Sequence, residues 1–159
     1  MRQITKSVMI DVSEKPRIAR RSVALGRIRL SPRTISKLSS GMVQKGDPFS
    51  VAEVAAIMAA KNTSRLIPLC HSIPLTGVHL RSTIERDGLS VKAEVKTTEK
   101  TGVEMEALTA VTVYLLTIWD MTKQYEKNEA GQYPDTMIEN VKVIVKEKSH
   151  DRRKINART

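Results

Sequence analysis

Asp120 and Lys123 stand three residues apart in a run, Val103 to Lys123, that holds neither proline nor glycine. On a helix that spacing puts both side chains on one face. A carboxylate beside an amine is a general acid/base pair, because burial and mutual charge tune both groups. By spacing alone, a surface ion pair near a helix C-terminus is the favoured reading. Glu104 and Glu106 flank Met105 at the other end of the run, where the helix dipole favours carboxylates. Two residues apart on a helix is about 200° of rotation, so the two glutamates are not expected to face one site. Glu106 and Asp120 share a face but are separated by about 21 Å of helix axis. A single site using both ends therefore needs two subunits with these helices antiparallel across their interface.

Cations punctuate the ends of the expected elements: Arg20, Lys45, Lys61, Arg65, Lys96 and Lys100. Lys45-Gly46-Asp47 and Lys100-Thr101-Gly102 each place a lysine and a glycine just before a helix start, where free N–H groups favour anions. Together they point to a polyphosphate, although neither matches a P-loop or a dinucleotide fingerprint. Cys70 and His71 are neighbours in an apolar stretch bounded by Pro68 and Pro74. In extended backbone such neighbours point to opposite sides, so one of them should face a given pocket. His71 is the better proton carrier or donor and Cys70 the better packing residue. His79 and His150 read as surface or structural.

The elements that would position these groups follow from periodicity. Arg17 to Leu30 alternates with period two, a strand with a basic polar face. Ser31-Pro32 and Asp47-Pro48 are helix starts, giving a short helix to Ser40 before Gly41 and a second to about Lys61-Asn62. Leu66 to Pro74 is expected to be an extended connection. Val78–Glu85 and Leu89–Thr97 read as a hairpin joined through Arg86-Asp87-Gly88. A long helix over 103–123 and a strand over 137–147 complete an α+β chain: an antiparallel sheet with helices packed on one face, ferredoxin-like in outline. The long helix is apolar on nearly every side, which calls for a second partner surface, and its apolar stretch is too short to span a membrane.

The 159 residues suit one domain, here residues 1–148, followed by a charged tail, 149–159, expected to be flexible. The net charge of +10 favours phosphate-bearing partners, whereas an aromatic content of 3% leaves few platforms for stacking nucleic-acid bases. One cysteine allows no intrachain disulfide, and the N-terminus has no apolar run of signal-peptide length. Both features fit a reducing, cytoplasmic setting. The competing class is a basic binding module that holds RNA or a nucleotide without chemistry. It predicts salt-dependent binding indifferent to Lys123.

Several phrases together resemble one family. Lys45-Gly46-Asp47, Ala59-Ala60-Lys61, Leu66 to His71, Lys100 to Ala110 and Leu116 to Lys123, with Asp11-Val12-Ser13 and Lys15, are similar to the molybdenum cofactor biosynthesis protein C (MoaC) family of cyclic pyranopterin monophosphate synthases. The resemblance runs from about residue 9 to about 148. It implies ferredoxin-like subunits assembled as a homo-hexamer, a trimer of dimers, with active sites between subunits. It also implies a substrate, the cyclised dihydro-GTP made by a radical SAM GTP cyclase one step earlier. That substrate would be rearranged to a pterin bearing a cyclic phosphate, with release of pyrophosphate.

Carried over by motif, Asp120 and Lys123 are the catalytic pair, with Lys123 the general acid/base. Lys45, Lys61, His71, Glu104 and Glu106 match pocket positions. Cys70, Lys100 and Met105 lie within the same phrases and are taken as substrate contacts. Arg20 matches a phosphate-binding arginine only by its distance from Asp11-Val12-Ser13. The chain departs from the family pattern at Ser72, where Pro commonly follows the Cys-His pair. It departs again at Trp119, where Tyr often precedes the Asp, and in the tail, where Lys146 to Lys154 replaces a Gly-rich stretch. No carboxylate cage marks a metal site, and one or two Glu together with substrate phosphates would suffice to hold Mg²⁺.

Overall fold

The computed structural model describes residues 7–151 and Lys154. Along the chain run β1 (Ile18–Arg29), α1 (Pro32–Ser40), α2 (Pro48–Lys61), α3 (Thr63–Leu66), β2 (Gly77–Glu85), β3 (Gly88–Glu99), α4 (Glu104–Glu126) and β4 (Met137–Ser149). The four strands form one sheet in the order β2-β3-β1-β4, with every neighbouring pair antiparallel. Because β3 lies between β1 and β2, the first β–helix–β unit is split by an intervening strand.

The starts of α1 and α2 follow their capping residues. Ser31 accepts a hydrogen bond from Thr34 N–H, Asp47 accepts one from Phe49 N–H, and each is followed by Pro at the first helical position. Gly41 ends α1 in the left-handed region, at φ 69°. Three features depart from the sequence reading. Thr63–Leu66 forms a short helix where only a connection was expected, its start tied back by the Thr63 hydroxyl donating to the Ala59 and Ala60 carbonyls. The hairpin turn is Arg86-Asp87, and Gly88 already belongs to β3, opposite Arg29. A Cβ on Gly88 would stand 2.2 Å from the Ile28 carbonyl oxygen, so close passage of the strand explains the glycine. Lastly, β4 runs on to Ser149, into the region expected to be tail. The rest of that tail, Lys154 apart, lies outside the described residues after Asp151.

One face of the sheet carries the core. Ala24 and Ile28 of β1 and Leu89, Val91, Ala93 and Val95 of β3 pack against Ala107, Ala110, Val111, Leu115 and Ile118 of α4, with Ala52, Ala56 and Ala60 of α2 closing the layer. The approach of α4 to β1 is close: a Cβ on Gly26 would lie 2.5 Å from Val111 Cγ1 and 2.9 Å from Leu115 Cδ1. The opposite face is an ion-pair lattice. Arg21 reaches Glu94 and Glu147, and Arg27 reaches Glu85, Asp87 and Glu139. On β4 the left-handed Asn140 lies where the pairing with β1 shifts register. Among the described residues no helix is long and apolar enough to cross a membrane.

Candidate active site

The site residues fall at the two ends of α4. At its C-terminal end Asp120 Oδ1 accepts from Lys123 Nζ at 2.7 Å, and Asp120 Oδ2 accepts from Lys45 Nζ at 2.8 Å. Lys45 also donates to the Asp120 backbone carbonyl at 2.8 Å. The two ammonium groups hold the Asp120 carboxyl down at about 2, while Asp120 raises Lys123. In this triad Asp120 is therefore ionised at neutral pH and Lys123 carries its proton, with Lys45 on the second carboxylate oxygen. Trp119 packs edge-on against Tyr133 beside this group, with ring centroids 5.7 Å apart.

At the N-terminal end, a cavity of about 490 Å³ is lined by Leu69, Cys70, His71, Glu104, Met105 and Glu106, and is covered by Val8, Ile10 and Val12. Glu106 is only 3% exposed. Burial, and then the neighbouring Glu104 charge, push its carboxyl upward. Burial also raises the Cys70 thiol, with Glu106 adding to the effect. The N-terminal strand of chain is strapped across: His71 Nε2 meets the Ile10 carbonyl at 2.7 Å, and Lys100 Nζ donates to the Ser13 carbonyl at 2.7 Å.

A second cavity of about 500 Å³ shares Lys15, Thr101, Gly102 and Glu104 with the first and adds Arg20, Lys100, Lys146, Lys148 and His150. It is the cationic half of the same hollow. Arg20 lines it while donating to the Glu99 and Lys100 carbonyls, each at 2.8 Å, so it also pins the link from β3 to α4. Lys146 ion-pairs with Glu104.

Several expectations are corrected by this geometry. Glu104 and Glu106 do line one cavity, because the hollow wraps over the end of α4 and Glu104 is its first residue. Cys70 and His71 line it together as well. The chain turns at Ile67–Cys70, with Cys70 N–H donating to the Ile67 carbonyl, so the dipeptide is not flatly extended. The start of α2 is no anion site, since the Asp47 carboxylate already accepts from Phe49 N–H and the Ser50 hydroxyl. His150, read as surface or structural, is indeed exposed, and it borders the cationic cavity. Lys61 is exposed in the last turn of α2, and no ion pair engages it among the described residues.

Lys146, Lys148 and His150 were absent from the sequence-derived site. Their spacing of two along a strand, which puts alternate side chains on one face, is the signal that finds them. No group of three His, Cys, Asp or Glu among the described residues is placed to hold a metal ion.

The comparison that decides the family is a match to the MoaC family over residues 9–149. The chain belongs to the MoaC family. It is 51% identical over 148 residues to a Sulfurisphaera tokodaii protein, covering 93% of this chain and 98% of the relative. It is 50% identical over 138 residues to one from Methanosarcina acetivorans, covering 87% of each. Over 143 residues it is 50% identical to one from Pyrococcus horikoshii, covering 90% of each. All three relatives carry the name "Probable cyclic pyranopterin monophosphate synthase". The matched residues include the triad and, Val8 and His150 apart, the whole lining of the hollow.

Proposed function

We propose that this MoaC-family chain is a cyclic pyranopterin monophosphate synthase of molybdenum cofactor biosynthesis. It would be a cytoplasmic lyase that rearranges the cyclised dihydro-GTP intermediate to cyclic pyranopterin monophosphate and releases pyrophosphate. The observation that carries the reading is the two-part hollow at the N-terminal end of α4. A half with carboxylates and apolar walls suits a purine-derived heterocycle with N–H donors, and the adjoining half with Lys15, Arg20, Lys100, Lys146 and Lys148 suits a triphosphate.

Glu104 and Glu106 accept from the heterocycle, with His71, Cys70 and Met105 forming the wall beside it. The cations hold the phosphates and ease departure of pyrophosphate by neutralising the charge it carries away. Lys123, kept protonated by Asp120, supplies the proton as general acid, and Lys45 completes the charge around Asp120. Within one subunit Asp120 stands about 21 Å of helix from Glu106, and Lys123 about 26 Å. The reading therefore puts the triad of one protomer against the hollow of its partner, in ferredoxin-like subunits assembled as a trimer of dimers, with Lys61 brought in at the same interface. The 1–148 unit is then one catalytic domain, fed by a radical GTP cyclase.

The test is incubation with the intermediate, generated in place by the preceding enzyme, following pyrophosphate and the fluorescent oxidation product of the pterin. Both products are expected from the wild type and neither from Lys123→Ala with its fold intact. A folded oligomer that yields neither product, and binds RNA in a salt-dependent way instead, overturns the synthase reading.

A further inference from the structure

The loop that carries Lys45 is tied to α4 at two points, and only one of them belongs to the triad. The Tyr125 hydroxyl accepts a hydrogen bond from the Gln44 backbone N–H at 2.9 Å. The next residue, Lys45, sends its ammonium to Asp120. Tyr125 and Asp120 are five residues apart on α4, about 7.5 Å along its axis. Two attachments at that separation fix the loop in both height and orientation. The Tyr125 ring is itself held from α1, with Lys37 Nζ 5.0 Å and the Arg33 guanidinium 5.8 Å from its centroid. Beyond Lys45 the chain turns back at once: Gly46, at φ 104°, donates its N–H to the Val43 carbonyl. The loop is short and exposed apart from Val43, so the Gln44–Tyr125 bond is the one main-chain tie between its tip and α4 among the described residues.

We propose that Tyr125 is a positioning residue for the reaction: by accepting the Gln44 amide, its hydroxyl sets where the loop sits along α4 and keeps the Lys45 ammonium on Asp120. This rests on reading the triad as catalytic. The charged groups facing Asp120 are Lys45 from the loop and Lys123 from α4 itself. Tyr133 acts on Lys123 from the connection to β4, and Lys127 stands 6.0 Å over the Tyr133 ring. The Asp120 carboxyl therefore reports directly on whether Lys45 is seated.

The experiment is a carboxyl ¹³C titration of Asp120 in the full chain, comparing wild type, Tyr125→Phe and Lys45→Gln, together with turnover of the intermediate. Tyr125→Phe keeps the ring and its stacking and deletes only the acceptor. It is expected to bind the Asp120 proton about threefold more tightly than wild type, moving toward Lys45→Gln, and to lower kcat about tenfold. An Asp120 midpoint in Tyr125→Phe equal to that of the wild type overturns the proposal, whatever the activity does. A shifted midpoint with unchanged turnover upholds the positioning and instead sinks the catalytic reading of the triad. Amide exchange on the unmodified protein is a check that needs no variant. Gln44 N–H should exchange at least about tenfold more slowly than an open loop amide, and unprotected exchange at Gln44 also overturns the proposal.

Discussion

Lys45 reaches Asp120 from 75 residues away and grips it twice, through Oδ2 and through the backbone carbonyl, at 2.8 Å each. The second contact is unaffected by protonation of the carboxylate. Lys45 thus seals the last turns of α4 as well as neutralising Asp120, while Lys123 holds the remaining oxygen.

Asp120→Asn should move the alkaline limb of the rate profile. Asp120 raises the Lys123 pKa, and a general acid works only while protonated, so activity is lost as pH rises through that value. Without the carboxylate the value falls, and the alkaline limb is expected at lower pH than in the wild type. A pH profile of kcat for the two proteins checks this. A limb that stays in place would remove Lys123 as the acid.

Two inactive variants should restore each other. If the triad of one chain serves the hollow of another, Lys123→Ala mixed with Glu106→Gln gives hybrid dimers with one intact and one doubly damaged site. Random exchange of equal amounts is expected to recover about a quarter of wild-type activity. Activity assays after subunit exchange by mild denaturation and refolding decide it. No recovery would mean that both ends of α4 do not serve a common intersubunit site.

Glu106→Gln should cost activity and gain stability. Burial raises the folded-state pKa of Glu106 above its unfolded value, so the native state binds more protons. The sign is that stability falls as pH rises through the carboxylate range, and at neutral pH the charged group works against the fold. The neutral amide is expected to stabilise the chain by about 1 kcal/mol, or about 3 °C in Tm. Thermal unfolding at neutral pH measures this, with the gain over wild type shrinking as pH drops below 5.

Glu126 should behave in the opposite sense. It is 7% exposed and accepts from Ser31 N–H and from the hydroxyls of Ser31, Thr34 and Thr136, which join α4 to the start of α1 and to the residue just before β4. Burial raises its pKa, but these hydrogen bonds outweigh it and the value is lowered. Its contribution is present above the unfolded pKa and is lost as pH falls through the folded one. Glu126→Gln is expected to cost about 1–3 kcal/mol at neutral pH. Denaturant unfolding should show that deficit narrowing in acid.

Local signals made the elements legible. Ser31-Pro32 and Asp47-Pro48 set helix starts because capping and the fixed φ of proline act within one turn. The alternation in β1, β2, β3 and β4 gave strands because a half-buried strand needs period two. The motif phrases led to the family and to Asp120, Lys123, Lys45 and the glutamates. What the periodicity could not carry was which distant groups meet. Spacing along one helix put Glu104 and Glu106 on different sides, yet the hollow lies over the end of α4 and takes both. Lys146, Lys148 and His150 joined the cationic half only because β4 pairs with β1 and ends beside Arg20. Side-chain type and local period are properties of a few consecutive residues, and the chain determines them by itself. The seat of Lys45 on Asp120, the Tyr125 tether and the shared rim of the two cavities depend on contacts between segments far apart in sequence. Only the packing of α4 against the sheet and against α2 decided those.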